Sequence, residues 1–315
     1  MLLGTSSGGP SVDVASLFDV TLYSGTGNSD VVTNGLNISG EGGLVWIKNR
    51  SQGSNSNSLA DTERGGNKRL ESDTGDQQAT GNTAASFRTN GFVVTNNTDT
   101  NALGQNYVAW CFVKGANFFD IVKYEGNGNS SQTISHNLGA SPGMIFVKCF
   151  DQDNKNWRVF HKDMGVDSYL ELNDFDSENE SESDIFPSLP TSTTFTVGND
   201  STVGANNFNY VAYLFANTAG AIKTGSYDGA SSDVTVNCGF EPQFVMLKPY
   251  SGATGIWSVF DSARGATKQL RWEVADAEST NSVMTFTSSG FTVSSTNANY
   301  NGSGRKFIFM AIADA

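Results

Sequence analysis

The side chains with the greatest potential for chemistry in this chain are carboxylates, because histidine is almost absent. The 315 residues include two histidines, His136 and His161. A Ser–His–Asp triad needs a base beside its nucleophile. Gly4-Thr5-Ser6-Ser7-Gly8 has the letters of a nucleophile elbow but lacks the preceding strand and following helix that the motif requires. We therefore predict no catalytic residues, and we expect His136 to be a surface turn residue.

The densest group of oxygen ligands is the acidic run 174–184, in which every second residue is Asp or Glu. Calcium takes about six to eight oxygen ligands. The run lacks the glycine and the terminal glutamate of an EF-hand loop. We expect a solvated acidic loop and no metal or cofactor, with calcium binding as the alternative.

Glycoside cleavage uses a pair of carboxylates, and two acids occupy matching places in the chain. Asp61 and Asp261 are in register, whereas Asp163 lies two positions out of it. Arg64 and Arg264 follow the two matching acids at the offset of a turn. We expect an Asp–Arg pair that fixes each turn, and catalysis is the alternative.

Aromatic residues provide the candidates for binding. Tyr250 and Trp272 lie near polar loops, and rings with polar neighbours suit the faces of sugars. A role in a core or a subunit interface is the alternative for both. Four further tryptophans are expected to pack inside the core: Trp46, Trp110, Trp157 and Trp257.

These residues belong to a sequence that repeats about every 100 positions. A turn and an apolar strand end in Lys48, Lys148 and Lys248. A Tyr-X-Gly triplet precedes each copy, starting at Tyr23, Tyr124 and Tyr227. A period of this length matches an independent domain rather than a solenoid repeat or propeller blade. We expect three units that each close their own core.

Short aromatic or β-branched strands separated by turns predict an all-β fold of three tandem, jelly-roll-like β-sandwich domains. We place an N-terminal arm at 1–17, which docks on a partner or is disordered, and domains at 18–117, 118–220 and 221–315. The connectors 115–117 and 219–220 are short, so adjacent domains should pack. The wholly apolar strand 144–147 predicts a sheet covered on both faces, with another domain or a subunit in contact over one of them.

Composition narrows the function classes. A net charge of −13 argues against binding nucleic acid. No apolar run approaches the roughly 20 residues of a spanning helix, and the start of the sequence does not resemble a signal peptide. Three cysteines without repeated spacing do not form a disulfide framework, so we expect Cys111, Cys149 and Cys238 to be small apolar strand residues.

The repeated motifs resemble a β-rich repeat domain of tail-fibre and other virion proteins of marine tailed bacteriophages, including cyanophages. The resemblance is carried by the segments 44–50, 61–65, 86–94 and 107–112, and by 239–248, 257 and 261–265 in the third unit. The second unit departs from it at His161-Lys162-Asp163-Met164. The resemblance implies a structural virion component and no catalytic residues.

The sequence therefore predicts a non-enzymatic virion protein exposed on the particle, assembled in the host cytoplasm. A tail-fibre or spike component acting in host attachment is the first hypothesis. A capsid decoration protein that stabilises the head shell is the second, and a glycan depolymerase is the third. The expected partners are other virion proteins, further copies in a homotrimer and a host surface glycan, with no nucleic acid and no membrane insertion.

Overall fold

The computed structural model describes residues 12–81, 84–180, 184–252, 254–295 and 297–314, and for residues 84 and 85 the backbone only. Antiparallel β-sheets make up nearly all of the regular structure. The predicted all-β class is confirmed. The sheets fall into three successive units along the chain.

The first unit starts with a 3-10 helix, Val14–Ser16, and contains one short α-helix, α1 (Ile38–Glu41). Its large sheet has the strand order β1-β9-β3-β4-β5-β6, and its small sheet has the order β2-β8-β7. The strands are β1 (Phe18–Ser24), β2 (Asp30–Thr33), β3 (Gly43–Asn49), β4 (Ser58–Asp61), β5 (Lys68–Glu71), β6 (Ala79–Thr80), β7 (Ala84–Arg88), β8 (Gly91–Val94) and β9 (Asn106–Val113).

The second unit has a large sheet of order β10-β16-β12-β13-β14 and a small sheet that pairs β11 with β15. Its strands are β10 (Phe119–Glu125), β11 (Gln132–Ser135), β12 (Met144–Cys149), β13 (Arg158–His161), β14 (Leu170–Glu171), β15 (Thr194–Val197) and β16 (Asn209–Phe215).

The third unit repeats the first, with sheets of order β17-β25-β19-β20-β21-β22 and β18-β24-β23. Its strands are β17 (Ile222–Asp228), β18 (Val234–Asn237), β19 (Pro242–Ser251), β20 (Ser258–Asp261), β21 (Lys268–Arg271), β22 (Ser279–Thr280), β23 (Met284–Thr287), β24 (Gly290–Val293) and β25 (Lys306–Ala313).

Equivalent positions in the units follow from strand register. In all three large sheets the first strand pairs with the last, and Phe18, Phe119 and Ile222 open those edge strands. The tyrosines of the Tyr-X-Gly triplets follow five residues later. Their hydroxyls donate to the carbonyl oxygens of Thr100, Val203 and Tyr300.

The glycine of each triplet is required by a close backbone approach. A Cβ atom at Gly25 would lie 2.1 Å from the carbonyl oxygen of Ala102. At Gly126 and Gly229 it would lie 2.2 Å and 2.1 Å from the equivalent carbonyl oxygens. A side chain cannot fit at these distances, so the triplet fixes the turn that leaves the edge strand.

The inner faces of the three large sheets share one hydrophobic core. Trp46 and Trp110 of the first unit contact Phe146 of the second and Phe244 and Trp272 of the third. Separate outer cores lie between the two sheets of the first and third units. The expectation that each unit closes its own core is therefore wrong for the inner faces. The apolar segment 144–147 of β12 is covered by other units of the same chain, which confirms the domain–domain alternative for it.

The units also exchange backbone hydrogen bonds in a closed ring. The amide of Gln78 donates to the carbonyl oxygen of Phe150 at 2.9 Å, and the amide of Glu178 donates to that of Tyr250 at 2.8 Å. The amide of Glu278 donates to Arg50 in the first unit at 3.0 Å. The third contact returns to the first unit, so the three units surround one axis.

The acidic run takes part in this ring, which corrects the expectation of a solvated loop for its first half. The amide of Gly255 donates to the carbonyl oxygen of Phe175 at 2.7 Å, beside the contact made by Glu178. Residues 181–183 of the run lie outside the described residues. Within the described ranges, no group of three or more His, Cys, Asp or Glu side chains is arranged to hold a metal ion.

Residues 12–17 of the predicted arm pack on the body of the protein, because Val14 is buried in the shared core. Residues 1–11 lie outside the described residues. Among the helices that the structure describes, none has the length and apolar character needed to cross a bilayer.

Candidate functional site

The two Asp–Arg pairs are buried turn clamps, as one of the two hypotheses for them predicted. Arg64 Nε donates to Asp61 Oδ2 at 2.6 Å, and the Arg64 amide donates to Asp61 Oδ1 at 2.8 Å. Arg264 and Asp261 make the same two bonds at 2.6 Å and 2.9 Å. Neither carboxylate has solvent exposure. Both acids are neutralised by arginine and sealed from solvent, so neither reaches a substrate.

Each clamp also receives a hydrogen bond from a neighbouring unit. The Tyr213 hydroxyl donates to Asp61 Oδ2 at 2.7 Å, and the Trp110 indole donates to Asp261 Oδ2 at 3.1 Å. The two donors occupy equivalent positions on the last strands of their units. The clamps therefore tie adjacent units together through a charge-assisted bond.

The second unit has lost both halves of this arrangement. His161 stands where the other units have Asp, Met164 stands where they have Arg, and Met310 stands where the donor would lie. His161 is fully buried, and within the described structure its Nε2 has no hydrogen-bond partner. Burial disfavours the imidazolium and lowers the pKa of His161 to about 4.

His136 is buried as well, so the expectation of a surface turn residue is wrong. It is 5% exposed, and its Nδ1 accepts a hydrogen bond from the Leu138 amide at 3.2 Å. Burial lowers its pKa. The three cysteines are buried and unpaired, as predicted for apolar strand residues. Burial raises the pKa of Cys149 and Cys238 to about 11.

Two of the repeated lysines, Lys148 and Lys248, form hydrogen bonds across the junctions between units. Lys148 Nζ donates to the carbonyl oxygens of Lys155 at 2.6 Å and of Gly75 in the first unit at 3.0 Å. Lys248 makes the matching bonds to Gly255 and to Asp174 of the second unit. Burial lowers the pKa of all three repeated lysines, Lys48 included, to about 8.

The aromatic candidates for sugar binding are not on the surface. Trp272 has no exposure and stacks on Trp46 with a centroid distance of 4.0 Å. Tyr250 is 7% exposed and accepts the inter-unit bond from Glu178. For both residues the structure supports the core or interface alternative.

Trp272 compensates for a missing tryptophan at the axis. Trp157 and Trp257 donate their indole N–H groups to the backbone carbonyl oxygens of Glu71 and Glu171 in the preceding unit, each at 2.9 Å. The first unit has Asn57 at the equivalent position, whose amide donates to Val274 at 3.0 Å. The residue that follows each acceptor strand varies inversely in size with the residue that donates to it. Ser72 is small where the donor is Trp157, and Trp272 is large where the donor is Asn57.

An open cleft lies between the second and third units and has a volume of about 400 Å³. Strands β17 and β18, at one edge of the two sheets of unit three, form one side of the cleft. The loop after β13 supplies the other side. The lining residues are Lys162, Asp163, Lys223, Thr224, Gly225, Ser226, Tyr227, Thr235, Val236, Asn237 and Phe309.

One ion pair lies in this cleft. Lys162 Nζ donates to Asp163 Oδ1 at 2.6 Å. Burial acts to raise the pKa of Asp163, but the Lys162 hydrogen bond and the neighbouring positive charges outweigh it and lower the pKa. Among the described residues that line the cleft, Lys162 and Asp163 form the salt bridge, and Lys223 forms none.

One known protein family matches the chain across all three units. A family model described as Domain of unknown function (DUF7483) matches residues 13–315. The chain belongs to this family. The DUF7483 match runs through all three units and so treats them as one domain, in agreement with their shared core. No curated protein matches the chain.

The cleft of this DUF7483 chain was not predicted from the sequence. Its residues come from the loop 162–163 and from strands that begin at 222 and 234, in two different units. The available signal was the break in the repeat at His161-Lys162-Asp163-Met164. That break marks the loop that lines one side of the cleft.

Proposed function

We propose that the chain is a structural protein of a bacteriophage virion, exposed on the particle as a tail-fibre or spike component that acts in host attachment. The proposal rests on the resemblance of the repeated motifs to a virion repeat domain. The structural observation that supports it is the closed ring of three units around one core. A body of this kind holds the outer loops of three sandwiches in a fixed mutual geometry, which suits repeated contact with a surface.

We propose that this role is non-enzymatic. The acids in register, Asp61 and Asp261, serve as buried clamps. Both histidines are buried with lowered pKa values, and the three thiols are buried with raised ones. These groups are held in states that support the fold rather than proton transfer or nucleophilic attack.

The proposed partners are other virion proteins, a host surface glycan and further copies of the chain. The expectation of a homotrimer rested partly on wholly apolar strands. Those strands are covered within one chain, so the trimer now rests on the symmetry common in such assemblies. Light scattering of the purified protein at high concentration tests it, with a threefold mass expected and a monomeric mass contradicting it.

The location on the particle tests the proposal directly. Purified particles are labelled with an antibody against the chain and imaged by electron microscopy. Label at the tail tip or fibres is the expected result. Label distributed over the head lattice would replace attachment by capsid decoration, and particles that carry no label would contradict a virion role. Release of reducing sugar from host envelope by the purified chain would instead support a depolymerase.

A further inference from the structure

We propose that the ring of units opens and closes at the contact between the third and first units, and that three charged side chains hold this contact closed. The contact is called the third junction, after the first junction between units one and two and the second between units two and three. The charged group, called the closing cluster, consists of Arg50, Arg264 and Glu278. This inference goes beyond the proposed attachment function and does not depend on it.

The first argument is the connectivity of the chain. The chain runs from the first unit through the second to the third, so a short connector joins the first junction at 115–117 and the second at 219–220. Isolated backbone bridges fix both of these turns. Units joined by a short connector keep a high effective concentration when their other contacts break, so they close again at once. The third junction has no connector and depends on noncovalent contacts.

The second argument is the geometry of the closing cluster. Arg50 of the first unit donates to Glu278 of the third with two nitrogens, Nε at 2.8 Å from Oε2 and Nη2 at 3.0 Å from Oε1. Arg264 Nη1 donates to Glu278 Oε2 at 3.4 Å. Burial acts to raise the pKa of Glu278, but the Arg50 hydrogen bond and the charges of both arginines outweigh it and lower the pKa. The carboxylate is therefore charged at neutral pH and forms a bidentate pair across the third junction.

The closing cluster continues into the clamp of the third unit. Arg264 Nε donates to Asp261 Oδ2 at 2.6 Å, and the same oxygen accepts from the Trp110 indole of the first unit at 3.1 Å. A continuous line of polar contacts therefore leaves the first unit at Trp110, crosses the third unit and returns to the first unit at Arg50. Neutralising Glu278 interrupts this line at the third junction.

The third argument is the first junction, which makes the same backbone contact without charges. There Gln78 and Phe150 stand at the positions of the glutamate and arginine of the closing cluster. Among the described residues, Arg64 Nη1 has no hydrogen-bond partner, whereas the equivalent atom of Arg264 contacts Glu278. The contact between the clamp arginine and a ring carboxylate is therefore a property of the third unit and not of the repeat.

The second junction keeps the carboxylate but not its arginine. Glu178 makes the backbone contact with Tyr250, which carries no charge. Among the ion pairs of the described residues, none joins the second unit to the third. The first junction has the pair of Lys114 with Asp120, which flanks the connector itself. A bidentate ion pair at the ring contact is thus found where the connector is missing.

Opening of the third junction separates the stacked rings of Trp46 and Trp272, which are both unexposed in the closed ring. The apolar surface that enters water makes the open state rare, so it is detected by amide hydrogen exchange rather than by its population. The test is hydrogen exchange of the full chain at neutral pH, measured by mass spectrometry of peptic fragments. Fragments 46–59 and 268–280 report on the third junction, and 168–180 and 246–252 report on the second.

The decisive variant is Glu278→Gln, which removes the charge shared by the two arginines. It should speed exchange at the third junction at least about tenfold and at the second by less than about twofold. Glu178→Gln is the matched control, because it changes the equivalent carboxylate at a junction that has a connector. It should leave the fragments of the third junction unchanged. Raising the salt concentration should speed exchange at the third junction of the parent protein.

Two further variants test the same contact from other directions. Arg50→Gln changes a side chain that is 21% exposed, so it serves where Glu278→Gln does not fold, and it should speed exchange at the same fragments. A Cβ atom at Gly53 would lie 3.7 Å from the amide nitrogen of Ala277, across the third junction. Gly53→Cys with Ala277→Cys therefore supplies a covalent link there. After oxidation it should return exchange in the Glu278→Gln background to within about twofold of the parent protein.

Unchanged exchange at the third junction in folded Glu278→Gln and Arg50→Gln proteins would overturn the proposal. Equal acceleration at all junctions would show a general loss of stability and would overturn it as well. Acceleration that persists in the oxidised, linked protein would show that the exchanging amides are not released by separation of the third unit from the first.

Discussion

The turn after the fourth strand of the first unit and its counterpart in the second solve the same packing problem differently. In the first unit, Asp61 holds Arg64 and accepts a bond from Tyr213 of the second unit. In the second unit, His161 is buried next to an open cleft, and among the residues that the structure describes its Nε2 has no hydrogen-bond partner. The carboxylate clamp that ties the units at the first junction has no counterpart at His161, although other hydrogen bonds cross the second junction. The divergence coincides with the place where the surface opens into the cleft, because Lys162 and Asp163 line it.

Removing the clamp of the first unit should give the largest loss of stability. Asp61→Ala leaves Arg64 buried without its counter-charge and leaves the Tyr213 hydroxyl without its acceptor. We expect the free energy of unfolding to fall by about 3–5 kcal/mol. Urea denaturation measures the change. Glu241→Ala, at an exposed carboxylate, is the control and should stay within about 0.5 kcal/mol of the parent protein. A loss below about 1 kcal/mol for Asp61→Ala would show that the clamp is dispensable.

The turn at His161, which lacks the Asp–Arg clamp, should make the free energy of unfolding depend on pH. The pKa of His161 is lowered to about 4 in the folded protein, whereas the unfolded chain has the ordinary value near 6.5. The unfolded state therefore binds more protons between these values, and stability falls as pH drops from about 6.5 to about 4. The loss from this group is about 2–3 kcal/mol.

The variant His161→Gln isolates that contribution from the acid sensitivity of the carboxylates. Urea denaturation of both proteins at several pH values should show a shallower decline for the variant across this window. Parallel curves for the two proteins would contradict the assignment of a buried neutral imidazole.

Position 57 allows a comparison between the first unit, which has Asn57, and the other two units, which have Trp157 and Trp257. Asn57→Trp introduces a second large ring beside Trp272 and should destabilise the protein by about 1–3 kcal/mol through overpacking. Adding Trp272→Leu recreates the pairing of Trp257 with Leu172 and should recover part of that loss. A double-mutant cycle by urea denaturation measures the coupling. Strictly additive effects would show that the two positions do not compensate each other.

The three repeated lysines should give the smallest effect, which is a change in how steeply stability depends on pH above pH 8. Burial lowers their pKa to about 8, so the unfolded chain binds more protons above that value. Each lysine therefore makes stability rise as pH increases from about 8 toward 10.5, by at most about 1.4 kcal/mol per pH unit. Lys148→Met should reduce this slope between pH 8 and 9 relative to the parent protein. An unchanged slope would indicate that Lys148 is charged over the whole window.

The sequence was sufficient for the class of fold and for the role of the clamps. Alternating turns and strands predicted the β-sheets, and Asp61 with Arg64 predicted a turn pair because the two residues are local. The closed ring was not predictable, since it depends on contacts such as Glu278 with Arg50 across the whole chain. The contact of Trp272 with Trp46 was not predictable either, because the polar residues around Trp272 in the sequence are typical of a loop. The cleft joins two units and follows from that ring, so no single motif could have revealed it.

The central claim is that three units form one body around a shared core, and calorimetry tests it most directly. A protein with one core should unfold in a single transition whose calorimetric and van't Hoff enthalpies agree. We predict that agreement for the parent protein at neutral pH. Two or three resolved transitions, or a calorimetric enthalpy about three times the van't Hoff value, would show independent domains and contradict the account.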